Sequence, residues 1–271
     1  MIANLDQIVG AKRRRIAEDK CGADLRKLER LAEQHTPRGF RYQLEKIAES
    51  GVAVIAELKK ASPSKGLIRA DFDPATLAKE LQQAGAAALS VLTDEEFFDG
   101  SLENLLQASN STHLPCLRKD FIVDEFQVLE ARANRADALL LIVAVLPPAE
   151  LSRLAKRARE LRLDVLCEVH DEQELKRAVD AGCDLIGVNS RDLRTFQVDL
   201  ETAFRLANVL PKNALRVAES GIHSGQDIAR LRAAGYQAFL MGESLMKAAS
   251  AGKALSALLA EVDVPVKSHS V

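Results

Sequence analysis

The chain has 271 residues, enough for one large domain or two small ones with a sizeable core. Hydrophobic residues make up 47% and charged residues 28%, with 37 basic side chains against 39 acidic ones and a net charge of −2. That balance describes a soluble globular chain and excludes a field for nucleic acid or an acidic membrane surface, and no apolar run approaches the roughly 18 residues of a membrane span.

The first 50 residues read as a helical extension. ANLDQIVGAKRRRIAEDK places Leu5, Ile8, Val9 and Ile16 on one stripe, and DLRKLERLAEQ does the same with Leu25, Leu28 and Leu31. Two helices follow from this, and neither can bury its stripe alone, so both must pack on the rest of the chain. The basic run Lys12-Arg13-Arg14-Arg15 reads as a solvated helix face. The amino terminus lacks the apolar core of a signal peptide, and Asp6, Glu18 and Asp19 argue against a transit peptide, so the cytoplasm is the expected location. The cysteines Cys21, Cys116, Cys167 and Cys183 form no C-x-x-C pair and read as reduced packing residues. His35, His113, His170, His223 and His269 show no ligand spacing, so no metal is expected.

After residue 50 a rhythm sets in. Eight short aliphatic and β-branched runs recur: VAVIAEL (52–58), AAALSVL (86–92), PCLR (115–118), ALLLIV (138–143), DVLCEV (164–169), LIGVN (185–189), LRVAES (215–220) and QAFLMG (237–242). Most gaps between them carry apolar residues at helical spacing, as at Leu77, Leu81 and Ala84, at Leu151, Leu154, Ala155 and Ala158, and at Ile228, Leu231 and Ala234. The turns AGAAAL, AGCDL and AAGYQ each put a glycine where a helix needs a left-handed stop. Strands apolar on both faces that alternate with helices mean a parallel sheet. Eight units of about 25 residues fit a closed (β/α)8 TIM barrel, for which ~250 residues is typical. An open doubly wound sheet is the alternative, but it would usually show a G-x-G-x-x-G turn after the first strand, and none is present. The expected organisation is a single domain over 1–271, with a helical extension over 1–50 packing on a barrel over 51–260, and a frayed tail, DVPVKSHSV.

In such a barrel the active site lies at the carboxyl ends of the strands, and polar residues gather there. Glu57 and Lys59 sit two apart, so they face one way with Ile55 below them. Ser90, Lys119, Glu168, Asn189 with Arg191, and Glu219-Ser220-Gly221 end other strands. Charges on strands buried on both faces need a strong reason, and a polar site supplies one. Lys119 and Glu168 make a natural acid and base. Crowding by Lys59 is expected to lower the lysine pKa and burial to raise that of the glutamate. ESGIHSG (219–225) and MGESLM (241–246) follow the last two strands, where barrels often hold phosphate with backbone N–H groups. Gly221, Gly242 and the helix start at Glu243-Ser244 supply that geometry.

At these residues the chain strongly resembles the indole-3-glycerol-phosphate synthase family. The resemblance rests on AVIAELKKASPSKGLIRADFDP (53–74), LSVLTDEEFFDGS (89–101), LRKDFIVDEFQ (117–127), LCEVHDEQEL (166–175), IGVNSRDL (186–193), VAESGI (217–222) and FLMGESLM (239–246). It implies decarboxylating closure of 1-(2-carboxyphenylamino)-1-deoxyribulose 5-phosphate to indole-3-glycerol phosphate, CO2 and water, a step of tryptophan biosynthesis. It implies Lys119 as general acid and Glu168 as general base, with Glu57, Lys59 and Asn189 orienting the reacting groups. Ser62, Gly221, Gly242 and Glu243 match the phosphate site, where some members carry serine in place of Glu243, whose carboxylate must therefore point away from the phosphate. Phe98 and Phe121 match apolar walls beside the anthranilate ring. Ser220 completes the catalytic set, and Ser90, Arg191 and Leu240 complete the substrate-binding set. No cofactor is expected, and the partner is the small phosphosugar–anthranilate substrate, with the protein a monomer or weak homodimer. The loop Ser62-Pro63-Ser64-Lys65-Gly66 is expected to close over the site. Of the barrel's two ends, the resemblance places the extension at the catalytic one. Phosphoribosylanthranilate isomerase chemistry, or a silent barrel that binds a phosphorylated metabolite, are the competing readings.

Overall fold

The computed structural model describes residues 5–262. The tail DVPVKSHSV, with His269 and its expected fraying, lies outside the described residues. The elements in chain order are helices α1 (Leu5–Gly22), α2 (Leu25–Glu33) and α3 (Phe40–Ala48), then strands β1 (Ala53–Leu58), β2 (Ala61–Ser62) and β3 (Gly66–Leu67) and helix α4 (Pro74–Gln83). They continue with β4 (Ala88–Leu92), α5 (Glu95–Phe98), α6 (Leu102–Asn110), β5 (Cys116–Lys119), α7 (Glu125–Ala133), β6 (Ala138–Ile142) and α8 (Pro148–Glu160). The last are β7 (Asp164–Val169), α9 (Glu172–Asp180), β8 (Leu185–Asn189), α10 (Glu201–Ala207), β9 (Leu215–Glu219), α11 (Gly225–Ala233), β10 (Ala238–Met241), α12 (Glu243–Lys247) and α13 (Ala251–Val262).

Eight of the strands close into a parallel barrel in the order β1-β10-β9-β8-β7-β6-β5-β4, with β4 pairing back on β1. They are the eight runs expected from the sequence, and the chain is a TIM barrel. Alternation along each strand separates two cores. Ala53 and Ile55 of β1 point inward with Leu117, Leu140, Leu166, Leu215 and Leu240, while Val54, Ala56 and Leu58 point outward against the helices. The helices begin on side chains that cap their open N–H groups: Asp73 before α4, Ser101 before α6, Asp124 before α7, Asp171 before α9 and Ser224 before α11. Three stop where expected, with left-handed φ values of 96°, 75° and 98° at Gly85, Gly182 and Gly235.

The extension departs from its sequence reading in two ways. It contains a third helix, α3, after the Pro37-Arg38-Gly39 break, and the segment serves both ends of the barrel. Helix α1 lies over the carboxyl ends of the strands, where Lys12 reaches Asp94 and Asp120. Helix α2 runs down the outside against α7, packing Ala32 on Leu129 and Ala133. Helix α3 then closes the opposite end. Phe40 and Leu44 are fully buried among Ala53, Leu185, Leu215 and Ala238 at the amino ends of the strands. Of the Leu25/Leu28/Leu31 stripe of α2, Leu28 joins the contact with α7 beside the buried Ala32, while Leu25 is 47% and Leu31 37% exposed. Small residues on both helices allow that close approach, which a count of leucines misses.

Buried charge pins this arrangement. Asp137, just before β6, accepts bonds from Arg38 N at 2.7 Å, Arg38 Nε at 2.9 Å, Cys116 N at 2.7 Å and His35 Nε2 at 3.2 Å. Cys167 and Cys183 are joined as a disulfide with a Cα–Cα distance of 6.4 Å, a correction to the reading of all four cysteines as reduced. The two are 16 residues apart in sequence. Cys167 points outward from β7, and Cys183 sits in the turn leading into its neighbour β8. Cys21 and Cys116 are unpaired thiols.

Candidate active site

A deep cleft opens over the carboxyl ends of the strands. Its floor is apolar, with Leu140, Ile142 and Leu240 from the inner core. Above that floor the strand ends bring five charges together. Lys119 Nζ, at the end of β5, lies 2.9 Å from Glu168 Oε2 on β7 and 2.7 Å from Glu219 Oε2 on β9. Lys59 Nζ lies 2.7 Å from Glu57 Oε1, so β1 contributes an ion pair of its own. Asn189 at the end of β8 bonds to Glu168 and accepts from Arg191 N at 3.0 Å.

The electrostatics run opposite to the sequence expectation. Burial works against the charge of Lys119, yet Glu168, Glu219 and Glu57 outweigh it and hold its pKa well above the ordinary lysine value. Burial likewise works against ionised Glu168, but Lys119 and His170, with bonds from Lys119 and Asn189, push its pKa down. Lys59 does not crowd Lys119, because Glu57 holds it. Glu219 is the exception among the carboxylates. Burial raises its pKa, and Lys119 only partly offsets this against the neighbouring charges of Glu168 and Glu57. Its Oε1 is buried with no hydrogen-bond partner, as is Ser90 Oγ. The inner cluster therefore holds a fixed ammonium, a firmly ionised carboxylate and a carboxyl that keeps its proton more readily.

The structure gathers the candidate residues closely. Glu57, Lys59, Lys119, Glu168, Asn189, Ser220, Ser62, Arg191, Gly221, Gly242, Glu243, Phe98, Phe121 and Leu240 all line the cleft. Ser90 does not. It sits in register with Glu57 on the neighbouring strand and is fully buried beside it. The rings of Phe98 and Phe121 face each other with centroids 6.4 Å apart, forming one wall. Leu5 and Ile8 of α1 close the cleft from above. Ser62 and Ser64 belong to the β2–β3 hairpin at the rim, and the segment expected as a loop carries this short antiparallel pair.

On the far side, Ser220 and Gly221 adopt consecutive left-handed conformations with φ of 63° and 77°, which turns the chain sharply after β9. Gly242 and the start of α12 stand beside it. Gly242 has a second reason to be glycine, since a Cβ there would meet Glu57 Oε1 at 2.7 Å. Glu243, the carboxylate beside the expected phosphate site, accepts a bond along its helix from Lys247 Nζ at 2.6 Å, with its other oxygen 3.5 Å from Arg191 Nη2.

Glu219 is read in the sequence among the polar strand ends but is given no role there, since Ser220 stands in its place in the catalytic set. Two signals mark it. Val217 points into the barrel, so Glu219 two residues on must do the same. Gly187 in the middle of LIGVN leaves a gap in β8, and a Cβ there would lie 2.0 Å from Glu219 Oε1.

Residues 5–258 match the family model described as indole-3-glycerol phosphate synthase. The chain belongs to the indole-3-glycerol phosphate synthase family. Among its relatives in that family, the indole-3-glycerol phosphate synthase of Koribacter versatilis is 60% identical over 259 residues, covering 96% of this chain and all of the relative. The same-named protein of Desulfotalea psychrophila is 48% identical over 257 residues, covering 94% of this chain and 97% of the relative. Solved structures outside the family share the fold alone. A thiamine phosphate pyrophosphorylase from Pyrococcus furiosus aligns with a TM-score of 0.57 at 16% identity, covering 78% of this chain and 95% of its own. A mandelate oxidase mutant aligns with a TM-score of 0.60 at 16% identity, covering 87% of this chain and 92% of its own. The family resemblance read from the strand-end motifs and the family assignment agree.

Proposed function

We propose that this member of the indole-3-glycerol phosphate synthase family converts 1-(2-carboxyphenylamino)-1-deoxyribulose 5-phosphate to indole-3-glycerol phosphate, CO2 and water in tryptophan biosynthesis, with the chemistry centred on Lys119. The observation that carries this reading is the Lys119 ammonium held between Glu168 and Glu219 at the bottom of an apolar-walled cleft. The anthranilate ring fits between Phe98, Phe121 and the roof of Leu5 and Ile8, and the phosphate fits at Gly221, Gly242 and the start of α12, with Ser62 and Arg191 at its rim.

In this reading Lys119 faces the ketone oxygen of the substrate. The ring carbon that bears the carboxylate attacks the carbonyl carbon, and the C=O electron pair moves to oxygen. A lysine with a raised pKa stabilises that developing alkoxide by charge, and the alkoxide is basic enough to take its proton. The carboxylate then leaves as CO2, its bonding electrons restoring the aromatic ring. Departure of the hydroxyl as water needs a proton from an acid, and closing the ring double bond needs a proton removed from the adjacent ring methylene, the nitrogen keeping its own. Glu168 is the base for that removal, and the readily protonated Glu219 can stand by as a proton carrier. Glu57, Lys59 and Asn189 orient these groups, and the Glu57–Lys59 pair answers why β1 ends on opposite charges. The bond changes need no electron sink.

The organisation proposed with this reading is a single domain, the extension over 1–50 serving the barrel over 51–260. We place the enzyme in the cytoplasm as a monomer or weak homodimer; among the described residues no helix is long and apolar enough to cross a membrane. Lys119→Ala and Glu168→Gln should each lower kcat by about 10² or more, the scale of a lost general acid or base, with the fold intact. Near-normal turnover in either variant would remove that residue from the mechanism.

A further inference from the structure

His170 lies two residues beyond Glu168 and behind it, outside the residues that line the cleft. It therefore does not touch substrate. Its Nδ1 is 3.0 Å from Glu174 Oε2, and its backbone N donates to the same oxygen at 2.9 Å, so one carboxylate on the first turn of α9 ties down both the ring and its backbone. Its Nε2 points at Glu168 Oε1 from 3.6 Å, and that nitrogen is buried without a hydrogen-bond partner. The Glu168 carboxylate is thus bonded at Oε2 by Lys119, while the ring faces Oε1 within ion-pair distance but beyond a hydrogen bond. Nothing in the reaction as proposed uses this histidine.

We infer that His170, held by Glu174, is a positioning residue for Glu168: its ring, aimed at Glu168 Oε1, keeps the carboxylate oriented for proton removal, and the Glu174 carboxylate holds the ring in place. The inference rests on the reading of Glu168 as general base. The charged groups around the ring are Glu168 on its own strand, Glu174 on α9 and Glu219 on β9, with Lys119 on β5 bonded to the two inner carboxylates. All three that act directly on His170 are acidic. Burial disfavours the imidazolium, but the bond to Glu174 and the charges of Glu168, Glu174 and Glu219 outweigh this and raise the ring's pKa above the ordinary value. The sign follows. The ring keeps its charge to a higher pH than an ordinary histidine, and losing that charge as pH rises releases the orientation of Glu168 Oε1.

The test is the pH dependence of kcat for the wild type, Glu174→Gln, His170→Gln and Glu168→Gln. It is read beside an NMR titration of the histidine rings, with the His170 signal assigned by its loss in His170→Gln. The wild type should show a descending alkaline limb that coincides with the His170 titration. Glu174→Gln should move both toward acid by about one pH unit. His170→Gln should abolish the limb and lower kcat at neutral pH by about tenfold, the scale of a loosened catalytic geometry, with KM unchanged. His170→Lys, which keeps a charge that does not titrate near neutrality, should recover part of the rate without the limb. A limb that stays in place in Glu174→Gln, or survives in His170→Gln, overturns the inference. If Glu168→Gln turns over like the wild type, the base reading itself falls and takes this inference with it. If Glu168→Gln is inactive and the limb is still unmoved, this inference alone falls.

Discussion

Lys119 sets the character of the site because three carboxylates share two ammonium groups. Glu57, Glu168 and Glu219 face Lys59 and Lys119, and the excess negative charge decides which carboxyl gives way. Glu219 gives way, having a single bonded partner and an orphaned second oxygen. It should therefore matter as more than a tether. Glu219→Gln preserves shape but cannot carry a proton, and should lower kcat by about 10² with little change in KM; a kcat near that of the wild type would leave Glu219 only the task of holding Lys119. The sequence made the placement of Glu57, Lys59, Lys119, Glu168 and Asn189 legible, because alternation along a strand fixes which way a side chain points. It did not make the pKa directions legible. Those depend on which charges end up within bonding distance across the barrel, and Lys59 was a neighbour of Lys119 only until its pairing with Glu57 was known. The close approach of Gly242 to Glu57 was hidden for the same reason. Any side chain added at 242 would disturb the Glu57–Lys59 pair as well as the phosphate loop.

Among the elements, the strands were readable because eight of them are apolar on both faces, and their register follows from closure of the barrel. The extension was readable only in part. Helix α3 has nine residues and no side-chain cap, so its Phe40/Leu44 face gives a weak periodic signal. That face nevertheless plugs the barrel. Phe40→Ala should cost about 3–5 kcal/mol of stability, the range for deleting a buried aromatic ring, with KM unchanged. Ile8→Ala, at the other end of the extension, should do the reverse, raising KM severalfold with a smaller loss in unfolding temperature. Matching effects in the two variants would contradict the division of the segment between the two ends. Asp137 joins these elements. Burial opposes its charge, but bonds from His35, Arg38 and Cys116 N and the charge of Arg38 hold its pKa below the usual aspartate value. A carboxylate with a depressed folded-state pKa stabilises the fold above its unfolded pKa of about 3.9. That stability disappears as pH falls through the lower folded value. Asp137→Asn should thus lose about 3 kcal/mol at neutral pH and show a shallower loss of stability below about pH 4. Denaturant unfolding across that range checks the sign; parallel curves for the two proteins would contradict it.

Across the whole molecule, the barrel does what its sequence rhythm implies. It sets a rigid ring of strand ends under a variable rim and lets the rim choose the chemistry. The distant structural relatives carry other names on the same scaffold at 16% identity, so the fold by itself decides nothing about the reaction. The family match and the residues at the strand ends decide it together. The most direct test is to supply 1-(2-carboxyphenylamino)-1-deoxyribulose 5-phosphate to the purified protein and follow indole fluorescence and CO2 together. The chain contains no Trp, so its own emission in that window is low. The account predicts a rise in indole fluorescence with one CO2 released per product, lost in Lys119→Ala. Tight binding of the substrate with no indole formed, or turnover that survives Lys119→Ala, would contradict it.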